Sequence, residues 1–240
     1  MTTHSNSAPN KIAVIITAAG SSTRMGGTIK KEYLPLGDGT VLSACVKAFE
    51  TALDNPEIII TIPPSGLEDA QKAIIGYNAS FVEGGATRQK SILNALEQIK
   101  KNGEQPEYIL IHDGARPFVT QQVIQNVIAG TIQYKAAAPG IKPTDTIKEI
   151  NEEGFITKHL ERRLLTSIQT PQGFVFEKLY EAHKKAAADG HDYTDDSEIW
   201  GKYVGPVKLV TGDPKNIKIT YPGDLQRGAQ ADTDTQGGTV

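Results

Sequence analysis

"IAVIITAAGSSTRMGG", residues Ile12–Gly27, passes from an apolar run into a turn of Ala, Gly, Ser and Thr that carries one arginine, Arg24, and no acidic residue. A short apolar run closed by small residues reads as a buried strand entering a turn. A turn of this composition is suited to phosphate oxygens, because small residues leave backbone N–H groups unobstructed and a carboxylate there would repel the anion. The stretch matches neither G-x-x-x-x-G-K-[ST] nor G-x-G-x-x-G. Alone, it specifies an anion and nothing finer.

The same unit recurs downstream. "IAVII" precedes "VLSACVKAFETAL", "EIIITI" precedes "GLEDAQKAII", "ASFV" precedes "TRQKSILNALEQIKK", and "YILIH" precedes "TQQVIQNVIAGTI". In the third helical segment Ile92, Leu96 and Ile99 recur at i, i+4 and i+7, one stripe for a sheet. Strand–helix repetition predicts an α/β fold with a mostly parallel twisted sheet covered on both faces. In such sheets ligands sit beyond the carboxyl ends of the strands. Those ends read "TAAGSSTR", "PPSG", "EGGATR" and "HDGARP", so Arg24, Arg88 and Arg116 gather on one sheet edge. Any one of them alone reads as a surface arginine in a turn; together they point to a phosphate-rich ligand.

The segment "PGIKPTDTIKEINEEGFITKHLERRLLTSIQ" breaks the rhythm. It alternates Thr and Ile with Lys and Glu around "NEEG", a hairpin signature. A projecting β-arm over 140–165 is expected, of the kind that embraces a second copy of the chain. "TPQGF" resumes the compact domain, and "VFEKLYEAHKKAAADG" is a helix stopped by Gly190. "TDDSEIWGKY" begins another helix with Thr194 as N-cap, and Asp195 and Asp196 then suit its dipole. "PVKLVTG" and "NIKITYP" supply the last strands, the second placing Lys218 opposite Ile217 and Ile219. The polar ends, 1–10 and 228–240, read as disordered tails flanking a single domain over 11–227.

Composition narrows the function. The chain has 240 residues, 25 Lys and Arg against 28 Asp and Glu, and a net charge of −3. It has no basic field of the kind nucleic acid requires. The single cysteine, Cys45, lies in a helical apolar segment, which excludes an intrachain disulfide and reads as a buried side chain. No apolar run reaches membrane-spanning length and the first residues lack a signal-peptide pattern, so a cytoplasmic location is expected. There is no G-x-S-x-G, no H-E-x-x-H and no Cys/His pairing, which argues against a hydrolase with an activated nucleophile. His112 reads as a packed strand residue.

What remains is a set of cations, Arg24, Lys31, Arg88, Arg116, Arg162 and Lys218, with Asp113 and Asp195 at element ends. This inventory suits a displacement between two phosphates. A phosphate monoester has a second pKa of about 6 and is already nucleophilic at neutral pH. Its obstacle is electrostatic, and fixed cations lower it.

"AAGSSTRMGG…KKEYLPLG", "EGGATRQKS", "HDGARPFV", "PTDTIK", "TPQGF", "TDDSE" and "NIKIT", in that order, resemble the 2-C-methyl-D-erythritol 4-phosphate cytidylyltransferases of non-mevalonate isoprenoid biosynthesis. The resemblance implies a Rossmann-like nucleotidyltransferase fold, a homodimer joined by the β-arm, and Mg²⁺-dependent formation of CDP-methylerythritol and pyrophosphate from CTP. It places Ala18, Ala19 and Gly20 along the nucleotide, Arg24 and Lys31 on its triphosphate, and Gly85, Ala86 and Ser91 at cytosine. Asp113 matches a position near the ribose and the metal. Arg162 and Lys218 match residues that position methylerythritol phosphate, and Arg116, Thr146, Thr170 and Thr194 match further substrate-pocket positions.

The chain departs from the family where Lys30, Lys31 and Glu32 replace Pro-Lys-Gln, which leaves Lys30 as the alternative to Lys31. Arg163 is likewise the alternative to Arg162, and Ala86 stands where an acidic residue is common. Two rival functions share the fold: a ribitol 5-phosphate cytidylyltransferase and a non-catalytic nucleotide binder.

Overall fold

In chain order the elements are β1 (Ile12–Thr17), a 3-10 turn (Lys31–Tyr33), β2 (Pro35–Leu36), β3 (Gly39–Thr40), α1 (Val41–Ala52), β4 (Glu57–Ile62), α2 (Leu67–Ala73), β5 (Ser80–Glu83) and α3 (Arg88–Lys101). They continue as β6 (Tyr108–Asp113), α4 (Gln121–Tyr134), β7 (Ala136–Ile141), β8 (Lys148–Ile150), β9 (Ile156–His159), β10 (Ser167–Ile168), β11 (Gln172–Val175), α5 (Phe176–Asp189), α6 (Asp196–Tyr203) and β12 (Lys208–Thr211). The computed structural model describes residues 11–22, 25 and 29–226. Arg24 and the two tails read as disordered lie outside the described residues.

β1 is apolar on both faces because it is covered on both. Val14 and Ile16 pack with Leu42, Val46 and Phe49 of α1 and Val123 and Val127 of α4, while Ala13 and Ile15 pack with Ile92, Leu96 and Ile99 of α3 and Leu179 of α5. Such a strand needs parallel neighbours reached by crossover helices. β1 pairs in parallel with β4 and β6, and β4 with β5. The 8-stranded sheet runs β10-β7-β11-β6-β1-β4-β5, with β12 on β7. Because β11 is antiparallel to both β6 and β7, every strand except β10 and β11 points the same way.

Helix starts follow local chemistry. Thr40, Thr87 and Thr120 each accept a hydrogen bond from a backbone N–H in the first turn of α1, α3 and α4. Gly190 ends α5 at φ 71°, a left-handed conformation that glycine adopts without steric cost. At α6 the expected cap is corrected by one residue. Asp195, not Thr194, is the N-cap and accepts from Glu198 N at 2.9 Å. Thr194 lies just outside, where its N and Oγ1 both donate to Glu198 Oε2 at 2.9 and 2.8 Å. The carboxylate takes the cap because it also accepts from Ser197 Oγ in the first turn and from Gln172 Nε2, which fixes the turn from outside the helix.

"NIKIT" is extended but is not a strand. Ile219 N donates to Ala115 O at 2.8 Å, and no ladder forms around that bond. The expected alternation survives without one: Ile219 is fully buried while Lys218 turns away from the core. The arm is a hairpin of β8 and β9 with an irregularity between Glu149 and Ile150. Its "NEEG" turn closes through Gly154 N donating to Asn151 O, with Gly154 at φ 86°.

Candidate active site

β1, β4, β5 and β6 are parallel and end on one edge, and a cleft of about 490 Å³ opens there. The loop after β1 supplies Ala19, Gly20, Ser21 and Ser22; the loop after β5 and the start of α3 supply Gly85, Ala86, Thr87, Arg88 and Ser91. Asp113, Ala115, Lys31, Glu32 and Lys218 also line it. Ala18 is buried behind it, its N–H donating to Thr61 O at 3.0 Å.

The two loops touch, and glycine makes that contact feasible. A Cβ at Gly84 would collide with the Ala19 side chain and lie 2.8 Å from Ser91 Oγ. Ser91 Oγ accepts from Gly85 N at 3.1 Å and donates to Thr87 O at 2.9 Å. Its hydroxyl therefore shapes the loop that carries Gly85 and Ala86, whose backbone lines the cleft.

Asp113 is the electrostatic centre. Its Oδ2 lies 2.8 Å from Lys218 Nζ and 3.7 Å from Arg116 Nε, and its Oδ1 lies 3.5 Å from Arg88 Nε. Burial alone would raise its pKa, but the charges of Arg88, Lys218 and Arg116 outweigh burial and hold it well below the usual carboxylate range. For Arg88 too, burial opposes the charge, and the carboxylates of Asp196 and Asp113 outweigh it and raise its pKa. Arg88 Nη1 lies 2.8 Å from Asp196 Oδ2.

Behind Asp113, His112 is fully buried. Its Nε2 lies 3.2 Å from Arg116 O, so that nitrogen carries the proton, and Nδ1 accepts from Thr170 Oγ1 at 3.1 Å. Thr170 Oγ1 in turn accepts from Asp113 N at 3.1 Å. Burial pushes the His112 pKa down to about 4, so the ring is neutral. Arg116 donates through Nη1 to Asn216 O at 2.7 Å. Thr170 and Arg116 thus brace the end of β6 from behind, outside the residues that line the cleft.

Of the two lysine alternatives, Lys31 lines the cleft, with Nζ donating to Ile219 O at 3.0 Å. Lys30 Nζ donates to Gly20 O and lies 3.9 Å from Glu32 Oε2. Glu32, almost fully buried, accepts from Ser22 Oγ at 3.1 Å and so anchors the loop after β1. The structure does not bring the arm residues to this cleft. Arg162 donates to Pro143 O and Thr144 O at 2.8 and 2.9 Å, Arg163 pairs with Glu161, and Thr146 is exposed. Thr194 is held on Glu198 outside the cleft.

Sequence reasoning counted Arg88 among the gathered cations without giving it a role of its own, and left Glu32 and Asp196 out of the site. For Arg88 the signal was present, since it stands past a strand end as Arg24 and Arg116 do. For Asp196 the dipole explanation is insufficient: its carboxylate is fully buried between Arg88 and His183.

A mostly parallel sheet whose carboxyl edge carries glycine-rich loops and a lysine–arginine–aspartate cluster defines an α/β protein of the nucleotidyltransferase class. The family model described as 2-C-methyl-D-erythritol 4-phosphate cytidylyltransferase matches residues 12–232, and the chain belongs to that family. A relative of that name from Caldanaerobacter subterraneus subsp. tengcongensis is 42% identical over 219 residues, covering 89% of this chain and 95% of the relative. One from Clostridium novyi is 38% identical over 224 residues, 91% of this chain and 95% of the relative. Among solved structures, 4-diphosphocytidyl-2C-methyl-D-erythritol synthase from Anaerococcus prevotii superposes with a TM-score of 0.79 at 29% identity, over 93% of this chain and 96% of that one. The Thermus thermophilus 2-C-methyl-D-erythritol 4-phosphate cytidylyltransferase gives 0.76 at 31% identity, over 93% and 99%.

Proposed function

We propose that this chain forms 4-diphosphocytidyl-2-C-methyl-D-erythritol and pyrophosphate from CTP and 2-C-methyl-D-erythritol 4-phosphate. The observation that carries this reading is the cation cluster around Asp113, which lines a cleft walled by small-residue loops, in a chain of this family. A phosphate oxygen of the methylerythritol substrate attacks the α-phosphorus of CTP. One P–O bond forms there, the bond to the bridging oxygen breaks, and its electron pair leaves with pyrophosphate. No proton has to be removed from the nucleophile. Gly85 and Ala86 offer backbone groups to cytosine, and Ala19 and Gly20 leave room for the nucleotide. Lys31, Lys218 and Arg24 neutralise the triphosphate and the leaving pyrophosphate.

The described residues contain no group of three or more His, Cys, Asp or Glu that could cage a metal. The ionised carboxylate of Asp113 in the cleft fits Mg²⁺, which is commonly held by one or two carboxylates together with substrate phosphates and water. The chemistry that Mg²⁺ supplies when bound is neutralisation of triphosphate charge.

The arm supports a homodimer. Phe155 and Leu164 are 68% and 69% exposed, and Ile147, Ile150 and Ile156 are exposed beside them. Apolar side chains this open are suited to a second copy of the chain. Arg162 and Thr146 lie outside their own chain's cleft, and a dimer can deliver them to the partner's. No described helix is long and apolar enough to cross a membrane, and we place the reaction in the cytoplasm.

The test is pyrophosphate release. It should require CTP, Mg²⁺ and methylerythritol phosphate together; release with ribitol 5-phosphate instead would overturn the substrate, and release with neither would favour a nucleotide binder.

A further inference from the structure

Among the described residues Asp196 is the most deeply buried carboxylate, with no exposed surface. It opens α6, but the N-cap of that helix is Asp195, and Ile199 and Trp200 bury the helix's apolar face. Its Oδ1 lies 3.0 Å from His183 Nε2 of α5 and its Oδ2 lies 2.8 Å from Arg88 Nη1. Arg88 lines the cleft; Asp196 and His183 do not. Burying a carboxylate is unfavourable unless it is paired, and a contact with a helix N-terminus offsets little of that penalty. The grip on Arg88 is what the burial secures.

The geometry of Arg88 shows what the grip does. Its guanidinium approaches Asp196 through Nη1 at 2.8 Å, and its nearest approach to Asp113, through Nε, is longer, at 3.5 Å. A guanidinium whose sole anionic partner was Asp113 would close on it as a bidentate fork. Held from behind, Arg88 keeps its charge beside Asp113 Oδ1, while Asp113 Oδ2 faces Lys218 at 2.8 Å and Arg116 at 3.7 Å.

We infer that Asp196 is a positioning residue which acts through Arg88 to hold the Asp113 carboxylate in its working arrangement, with His183 fixing Asp196 in turn. The row His183–Asp196–Arg88–Asp113 thereby ties the packing of α5 and α6 to the cleft. As far as it concerns turnover, this rests on the reaction proposed above.

Two measurements test it, one of them independent of that reaction. In ¹H–¹⁵N spectra of the guanidinium region, the Arg88 Nε–H resonance is assigned by its loss in Arg88→Met. It should be a sharp, dispersed signal that Asp196→Asn shifts towards the position of solvent-exposed arginines; an unchanged resonance overturns the inference even if the protein proves to be no cytidylyltransferase. In kinetics, Asp196→Asn should lower kcat/KM for CTP about 10- to 100-fold, the range typical of residues that orient a site's ligands from behind. The same substitution in an Arg88→Met background should cost almost nothing further. An undiminished loss in that background is the signature of a purely structural role and overturns the proposal. If Asp196→Asn does not fold, His183→Gln takes its place in both measurements with the same expectations. Wild-type protein that turns over no substrate, with the spectral change intact, refutes the reaction and leaves the positioning role standing.

Discussion

Lys218 Nζ sits 2.8 Å from Asp113 Oδ2, joining the C-terminal extended segment to the end of a central strand. Lys218 is 39% exposed in its side chain, so its ammonium faces the cleft as well as the carboxylate. Lys218→Ala should raise the activation barrier by about 2–4 kcal/mol, the size of a lost oxyanion donor. Initial rates of pyrophosphate release measure this; unchanged turnover would remove Lys218 from the mechanism.

Acid should act on the end of β6 in two separate windows. The His112 pKa is lowered from 6.5 to about 4, so the unfolded chain takes up the proton first. Stability from the neutral ring is complete above about pH 6.5 and drains as pH falls to about 4. At about 1.4 kcal/mol per pH unit the loss is about 3 kcal/mol. The Asp113 pKa is held low by its cations, so its contribution is intact above about pH 4, the ordinary carboxylate value, and is lost only below it. Urea unfolding across pH should show the first loss in wild type and not in His112→Gln. The same slope in both proteins would refute the assignment.

Gly84 and Gly20 make a contrasting pair. A Cβ at Gly84 meets Ala19 and Ser91, whereas nothing lies within 4 Å of one at Gly20. Gly84→Ala should destabilise by about 1–3 kcal/mol and raise KM for CTP by displacing the loop after β1, while Gly20→Ala leaves stability unchanged. Denaturant midpoints and CTP saturation curves check both halves.

The arm is predicted to govern assembly. Phe155→Asp with Ile156→Asp should convert a sedimenting dimer into monomers, because two carboxylates would replace apolar contact at the most open part of the hairpin. A wild-type monomer, or a variant that sediments as wild type does, would count against the homodimer.

The layered sheet was legible because it rests on short-range periodicity: Ile92, Leu96 and Ile99 form the expected stripe and are fully buried. The hairpin was legible for the same reason, through "NEEG". The departures share a different cause. Asp195 and Asp196 are adjacent and chemically identical, but a helix rotates each residue by about 100° from the last, so one caps while the other points into the core. Nothing local distinguishes them; the distinction comes from Gln172, His183 and Arg88, which reach them only after the helices pack. "NIKIT" alternates as a strand does, but pairing depends on a free sheet edge, which the sequence does not display. Arg24 lies outside the described residues, and its role rests on resemblance.

The segment carrying Asn216, Lys218 and Ile219 supplies the last pieces of the cluster: a carbonyl for Arg116, an ammonium for Asp113, and a carbonyl for Lys31. These residues follow every strand of the sheet in the chain, so a ribosome makes them after it. Until they emerge, Asp113 has its two arginines but no lysine, and Lys31 and Arg116 lack these acceptors. Synthesis therefore builds the sheet's central strands before it completes the site, and a nascent chain that stalls before Asn216 carries most of the architecture with its charge cluster unfinished.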